Sequence, residues 1–228
     1  MKLAQVSTAG GDTLTIPVPF RNVNIFSLSP DHSTLLVAQF NGLKGSPFWA
    51  LPLPVGSPRR LNDIVGRDAA WSPDGKQLVF SQGLDLYVAD ADGSRAHKIK
   101  TSSEIPTNIR YSPDSMRLRP TLNPIGKNIN SIWEMNADGS NLHRMLPGWK
   151  ASAAQCCGYW TRDGRYYIFE VQVPAGTVDL WAVREKQHPF HKREPVQLTA
   201  GPLWYTQIQS RRRTAIESSS TGSSYREN

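Results

Sequence analysis

Cys156 and Cys157, adjacent in the chain, and His188 and His191, in Gln187-His188-Pro189-Phe190-His191-Lys192, are the residue types here that could hold a metal. No fixed ligand spacing links the two pairs, and the histidine segment reads more simply as a polar loop between outer strands. A disulfide between sequence neighbours is strained, so the cysteines give neither a cross-linked framework nor a compartment. Asp74, Asp92, Asp138 and Asp163 each belong to an Asp-Gly pair, and Asp90-Ala91-Asp92-Gly93-Ser94 begins like a calcium loop. The remaining ligands and the closing Glu of that loop are missing, and Asn136-Ala137-Asp138-Gly139 repeats the phrase. Turn chemistry accounts for these pairs, and no metal or cofactor is expected.

Acyl-transfer chemistry would need a nucleophile on a sharp turn, typically Gly-x-Ser-x-Gly, with His and acid partners. The chain has no such elbow; Thr221-Gly222-Ser223-Ser224 falls in a Ser-rich tail. It has no phosphate-cradling glycine loop or dinucleotide fingerprint either. His97 and His143 each follow a hairpin aspartate by five residues, which makes both outer-strand positions rather than catalytic bases. No catalytic residue is expected.

The elements carrying these residues come from one phrase repeated four times. Phe26-Ser27-Leu28-Ser29-Pro30-Asp31, Ala70-Trp71-Ser72-Pro73-Asp74-Gly75, Ile109-Arg110-Tyr111-Ser112-Pro113-Asp114 and Gly158-Tyr159-Trp160-Thr161-Arg162-Asp163-Gly164 share it. Spacings along the Pro column are 43 (30 to 73), 40 (73 to 113) and 49 (113 to Arg162). Short strands repeating at that period predict an all-β propeller of four-stranded antiparallel blades, about four of them, in an incomplete ring. The second copy gives its strands directly: Asp68–Ser72, Gln77–Ser81, Leu86–Asp90 and Arg95–Ile99, with Asp92-Gly93 as a hairpin turn and Asp138-Gly139 as its counterpart in the third copy. In that third copy Met116-Arg117-Leu118-Arg119-Pro120 looks like a damaged second strand, because Pro cannot donate to a ladder. The recurring Trp71, Tyr111 and Trp160 read as core between blades rather than a ligand cage.

Blades are expected over residues 1–209, starting near 26, 68, 107 and 157, with Thr13–Pro17 as the outer strand of an earlier blade. Residues 210–228 have neither strand pattern nor apolar content and read as a disordered tail. Read one base out of frame, Arg211 to Ser218 can spell Ser-Pro-Asp-Gly, a polar residue, Arg, then Ile or Val. That is the missing motif at its expected place, so the alternative is a frameshifted end and a chain that is a fragment of a longer propeller.

The net charge of +7 is scattered apart from Arg184 to Arg193 and Arg211-Arg212-Arg213, with no basic stripe interleaved with aromatics, so specific nucleic-acid binding is not expected. No apolar run is long enough to span a membrane, and Met1–Gly11 has no apolar core of a signal peptide.

Ala70-Trp71-Ser72-Pro73-Asp74-Gly75-Lys76-Gln77-Leu78-Val79-Phe80, with Asp85-Leu86-Tyr87-Val88-Ala89-Asp90-Ala91-Asp92-Gly93-Ser94, resembles the TolB-type propeller repeat. The resemblance covers about residues 14 to 205. Such repeats occur in a periplasmic bacterial protein, in propellers of prolyl-oligopeptidase-type peptidases, and in sensor domains behind winged-helix regulators. It implies a non-catalytic binding or sensory scaffold for a protein or peptide. Its alternatives are the gating propeller of a peptidase without its catalytic domain, or the sensor part of a membrane-anchored regulator. The compartment implied is periplasmic within a longer TolB-like protein and cytoplasmic otherwise, and uncovered blade faces would favour self-association. The expected structural motif is Ser29, Pro30, Asp31, Trp71, Ser72, Pro73, Asp74, Gly75, Tyr111, Ser112, Pro113, Asp114, Trp160, Asp163 and Gly164, with turns at Asp92, Gly93, Asp138 and Gly139.

Overall fold

A computed structural model describes residues 3–7, 10–20, 22–39, 45–126, 129–150, 152–172, 177–185 and 193–200, and the backbone of 214–218. All its regular elements are strands. Four antiparallel four-stranded sheets follow one another along the chain. The first holds β3 (Val23–Leu28), β4 (Thr34–Gln39), β5 (Ser46–Pro52) and β6 (Arg59–Gly66). The second holds β7 (Asp68–Trp71), β8 (Gln77–Gln82), β9 (Asp85–Asp90) and β10 (His97–Thr101). The third holds β11 (Ile105–Tyr111), β12 (Arg117–Asn123), β13 (Ser131–Asn136) and β14 (His143–Arg144). The fourth holds β15 (Gln155–Trp160), β16 (Tyr166–Gln172), β17 (Val178–Arg184) and β18 (Val196–Gln197). Each is a blade in sequential hairpin order. The first strands β3, β7, β11 and β15 touch in series and form the axial side of an arc that does not close through these four sheets.

A further three-stranded sheet has the order β19 (Thr214–Ser218), β1 (Leu3–Ser7), β2 (Leu14–Ile16). β2 lies at its edge, within the Thr13–Pro17 segment read as an outer strand. The expectation of a patternless tail meets a difference at β19, which pairs antiparallel with β1 from Leu3↔Ser218 to Ser7↔Thr214. An unpaired edge supplies hydrogen-bonding groups to any extended segment, so a weak strand pattern suffices there. The rest of 210–228 lies outside the described residues, as do His188 and His191.

Each apolar core is shared by two successive sheets. Leu3 and Ile16 pack with Val23, Leu35, Val37 and Leu51 of the first blade. Phe48 and Leu61 of the first blade pack with Leu78 and Phe80 of the second. Val79 and Leu86 of the second meet Ile109, Tyr111 and Met135 of the third, and Ile132 and Met145 of the third meet Trp160, Tyr167 and Phe169 of the fourth. Tyr111 and Trp160 are buried, whereas Trp71 is half-buried against its core, with Nε1 donating to the Ala91 carbonyl at 3.3 Å.

The third blade's second strand is not damaged. β12 runs unbroken through Pro120, and its pairing with β13 has the same register before and after it, at Leu118↔Met135 and Thr121↔Ile132. The ladder is therefore interrupted at Pro120 and resumes in phase instead of ending. Arg119, fully buried, is held by carboxylates. Its Nε donates to Glu134 Oε2 at 2.7 Å and its Nη1 to Glu185 Oε1 at 2.7 Å, while its guanidinium lies 4.5 Å from the Trp160 ring and 4.3 Å from that of Tyr167. Arg117 and Arg193 flank the same carboxylates.

Candidate functional site

Each blade's first hairpin is closed by the repeated motif. The hydroxyls of Ser29, Ser72, Ser112 and Thr161 donate to the carboxylates of Asp31, Asp74, Asp114 and Asp163 at 2.5–2.6 Å. The same oxygens accept the main-chain N–H five residues on, at 2.9–3.0 Å. Those serine or threonine hydroxyls are the main influence holding all four carboxyls below the ordinary range, Asp31 at about 2. Gly75 and Gly164 have φ of 73° and 66°, and His32 and Ser115 take the left-handed position in the other two copies. Pro30 lies beside Gly75 of the next blade and Pro113 beside Gly164, so the motif also locks neighbours. At the outer hairpins Asp92 and Asp138 accept the N–H of Ser94 and Ser140 at 2.8 and 2.9 Å. Gly93 and Gly139 lie close against the carbonyls of Leu61 and Ile99 on the preceding blade. These positions are bound into the scaffold, and none presents an unengaged carboxylate pair.

Hairpin topology sends connections alternately to two ends of the arc, and the ends differ. At one, the first hairpins span 29–33, 72–76, 112–116 and 161–165, five residues in every blade. The outer hairpins of the first three blades there span 53–58, 91–96 and 137–142, six residues each, while most of the fourth blade's connection, 185–195, lies outside the described residues. At the opposite end the connections are 40–45, 83–84, 124–130 and 173–177 within blades, and 67, 102–104 and 145–154 between them. This variable end carries Ile125 at 71% exposed and Ile129 at 45%, both on the 124–130 connection.

The axial side next to it carries a polar row that the repeated phrase does not single out. Asp68, at the start of β7, is buried; its carboxylate accepts the N–H of Ala69 at 2.9 Å and, from the next blade, that of Ile109 at 2.7 Å. Arg110 Nη1 stands 3.8 Å from Asp68 Oδ1, and Nη2 donates to the Tyr159 hydroxyl of the fourth blade at 2.6 Å. Burial pushes the Asp68 carboxyl up, opposed by the Arg110 charge. The row therefore ties three first strands together as a positioning device, with its charges turned on one another. Charge inside a strand pattern is its available signal in the sequence; the cross-blade partners, about one repeat apart, are not visible without the arc.

Cys156 and Cys157 form a disulfide. The bond joins sequence neighbours, so it cross-links no framework, and local backbone allows it. β15 shifts register between Cys156 and Tyr159, and Cys157 has φ of 60°, so the bulge turns both sulfurs to one side. The outer-strand histidines His97 and His143 are exposed, and their Nδ1 atoms face the carbonyls of Arg95 and Asn141.

No protein-family model matches the sequence, and no curated protein matches it. Solved structures do. A protein of Agrobacterium tumefaciens described as TolB superimposes with a TM-score of 0.68 at 18% identity, over 87% of this chain and 73% of that one. TolB from Acinetobacter baumannii gives 0.66 at 14% identity, over 89% of this chain and 54% of that one. A chain of a nidogen/laminin complex gives 0.54 at 15% identity, over 80% of this chain and 85% of that one. The shared property is the propeller fold; this chain spans about half of the Acinetobacter protein.

Proposed function

We propose that this chain is a binding scaffold for a protein or peptide, without chemistry of its own, that seats its partner on the variable end of the blades. One observation carries the reading: at one end the first hairpins are five residues in every blade and the outer hairpins six in the first three blades, while connections at the other end run from one residue to ten. Rigid, repeated turns hold a framework, and unequal loops on such a framework are where recognition residues collect. Ile125 and Ile129 supply exposed apolar surface at that end. The repeat motif's serines, aspartates and glycines are consumed in hairpin closure and blade packing, which leaves them a structural rather than a catalytic role. One chain of like fold was solved in a nidogen/laminin complex, which is in keeping with a protein partner on such a scaffold.

Selection of a random peptide library on the immobilised full chain tests the reading. Selected peptides should cross-link to 124–130 and 145–154, and an Ile125→Asp, Ile129→Asp double variant should lose them while Met116→Asp at the other end keeps them. Peptides that map to the repeated hairpins, or turnover of the peptide pool, would overturn it.

A further inference from the structure

We propose that Cys156 and Cys157, once reduced, form with the Glu170 carboxylate a binding site for a thiophilic divalent cation such as Zn2+ or Cd2+, and that their disulfide is the closed state of this site. Consecutive side chains on a regular strand point to opposite faces and cannot share a ligand. The bulge in β15, with Cys157 in the left-handed region, removes that obstacle, and the bond between the two sulfurs attests it. Glu170 on β16 is the register partner of Cys156, is buried, and has Oε2 3.7 Å from Cys156 Sγ. The two sulfurs and a carboxylate oxygen all lie within 4.8 Å of one another.

Two thiolates and one carboxylate suit a tetrahedral borderline-soft cation and leave its fourth position open. Asn108 Nδ2, from the neighbouring blade, stands 3.5 Å from Cys157 Sγ and would orient that sulfur by hydrogen bonding. A stabilising cross-link explains the pair poorly, because a bridge between residues one apart closes almost no loop of the unfolded chain.

Opening the site takes two electrons and two protons from a thiol reductant. The S–S bond breaks, each sulfur gains a proton, and the reductant leaves as its own disulfide. Cation binding then forms two S–metal bonds and releases those two protons to solvent.

The test is Cd2+ titration of the full chain, reduced under argon, followed by the ultraviolet sulfur-to-cadmium charge-transfer absorption. The reduced chain should show the band and saturate at one ion per chain, and the oxidised chain should show neither. Cys156→Ser and Cys157→Ser should each lose tight binding. Glu170→Gln should retain a thiolate band but bind at least about tenfold more weakly, the lower end for losing even an outer partner of a metal ligand. Because a cysteine variant can fail to fold, the wild-type chain is also titrated in urea, where affinity should fall. Absence of the band in the reduced chain, an equal band in the oxidised chain, unchanged affinity in Glu170→Gln, or undiminished affinity in urea would each overturn the site.

Discussion

The main-chain N–H of Ile109 donates a 2.7 Å hydrogen bond to Oδ2 of Asp68, joining the first strands of two successive blades. Both residues are buried, so neither group can turn to water instead. Arg110, the next residue, places its charge beside the same carboxylate and reaches on to Tyr159.

Replacing Asp68 by Ala should therefore cost about 3–5 kcal/mol, the range for removing one partner of a buried ion pair. Asp68→Asn, which retains an acceptor for Ile109, should cost less. Urea unfolding followed by tryptophan fluorescence measures both, and a loss below about 1 kcal/mol for the alanine variant would place the pair among ordinary surface contacts.

Acid should weaken the fold through Glu134. Burial alone would raise its carboxyl, but Arg119, aided by Arg193 and Arg117, holds it down to about 2. A folded value below the unfolded one means the contribution is complete above the ordinary carboxylate range and fades as pH falls toward about 2. Asp68, raised by burial, has the opposite sign: its protonated form is favoured in the folded chain, so acid relieves rather than weakens it. Unfolding free energy measured against pH should show a shallower acid limb in Glu134→Gln than in the parent; an identical limb would exclude Glu134 as its source.

Ser72→Ala should cost about 1–2 kcal/mol, since it removes an acceptor from the Gln77 N–H and a donor to Asp74 together. Ser72 is buried, so water cannot replace the lost hydroxyl at no cost. Thermal unfolding of the variant checks this, and an unchanged midpoint would mean the hairpin closes without its clip.

How much of the molecule is legible in the sequence follows from what repeats. The hairpin clip recurs within five residues of chain, so Ser72 and Asp74 stand out from the residue pattern alone. Arg119 looks like a fault there because its partners are remote in the chain: Glu134 on the facing strand and Glu185 in the next blade. The same holds for Asp68 with Ile109 and Arg110, whose meeting depends on the order of blades around the axis. The paired sulfurs escape the pattern for another reason. A bulge is a backbone event, and nothing in Gln155-Cys156-Cys157-Gly158 announces it beyond the glycine.

Gly139→Ala should be more damaging than Gly148→Ala. Both have positive φ, of 84° and 78°, so each variant carries a conformational cost of about 1 kcal/mol. A methyl group at Gly148 meets open space, whereas at Gly139 it runs into the Ile99 carbonyl of the preceding blade, adding about 1–3 kcal/mol of overpacking. Equal losses in denaturant unfolding would show that the blades separate freely at this turn.

Trp160→Ala should cost about 3–5 kcal/mol, as for a buried large aromatic. Trp71→Ala should cost less, because that indole is only half-buried. The two losses are compared by urea unfolding; the reverse order would mean that the equivalent positions of the second and fourth blades are not packed as described.

Every apolar core here belongs jointly to two neighbouring sheets, and this constrains how such a gene can lengthen or shorten. A recombination event preserves the matched faces only when its two breakpoints fall at the same phase of the repeat, because any other junction sets a face against the wrong partner. Growth therefore proceeds in whole-repeat quanta, whichever connection is cut.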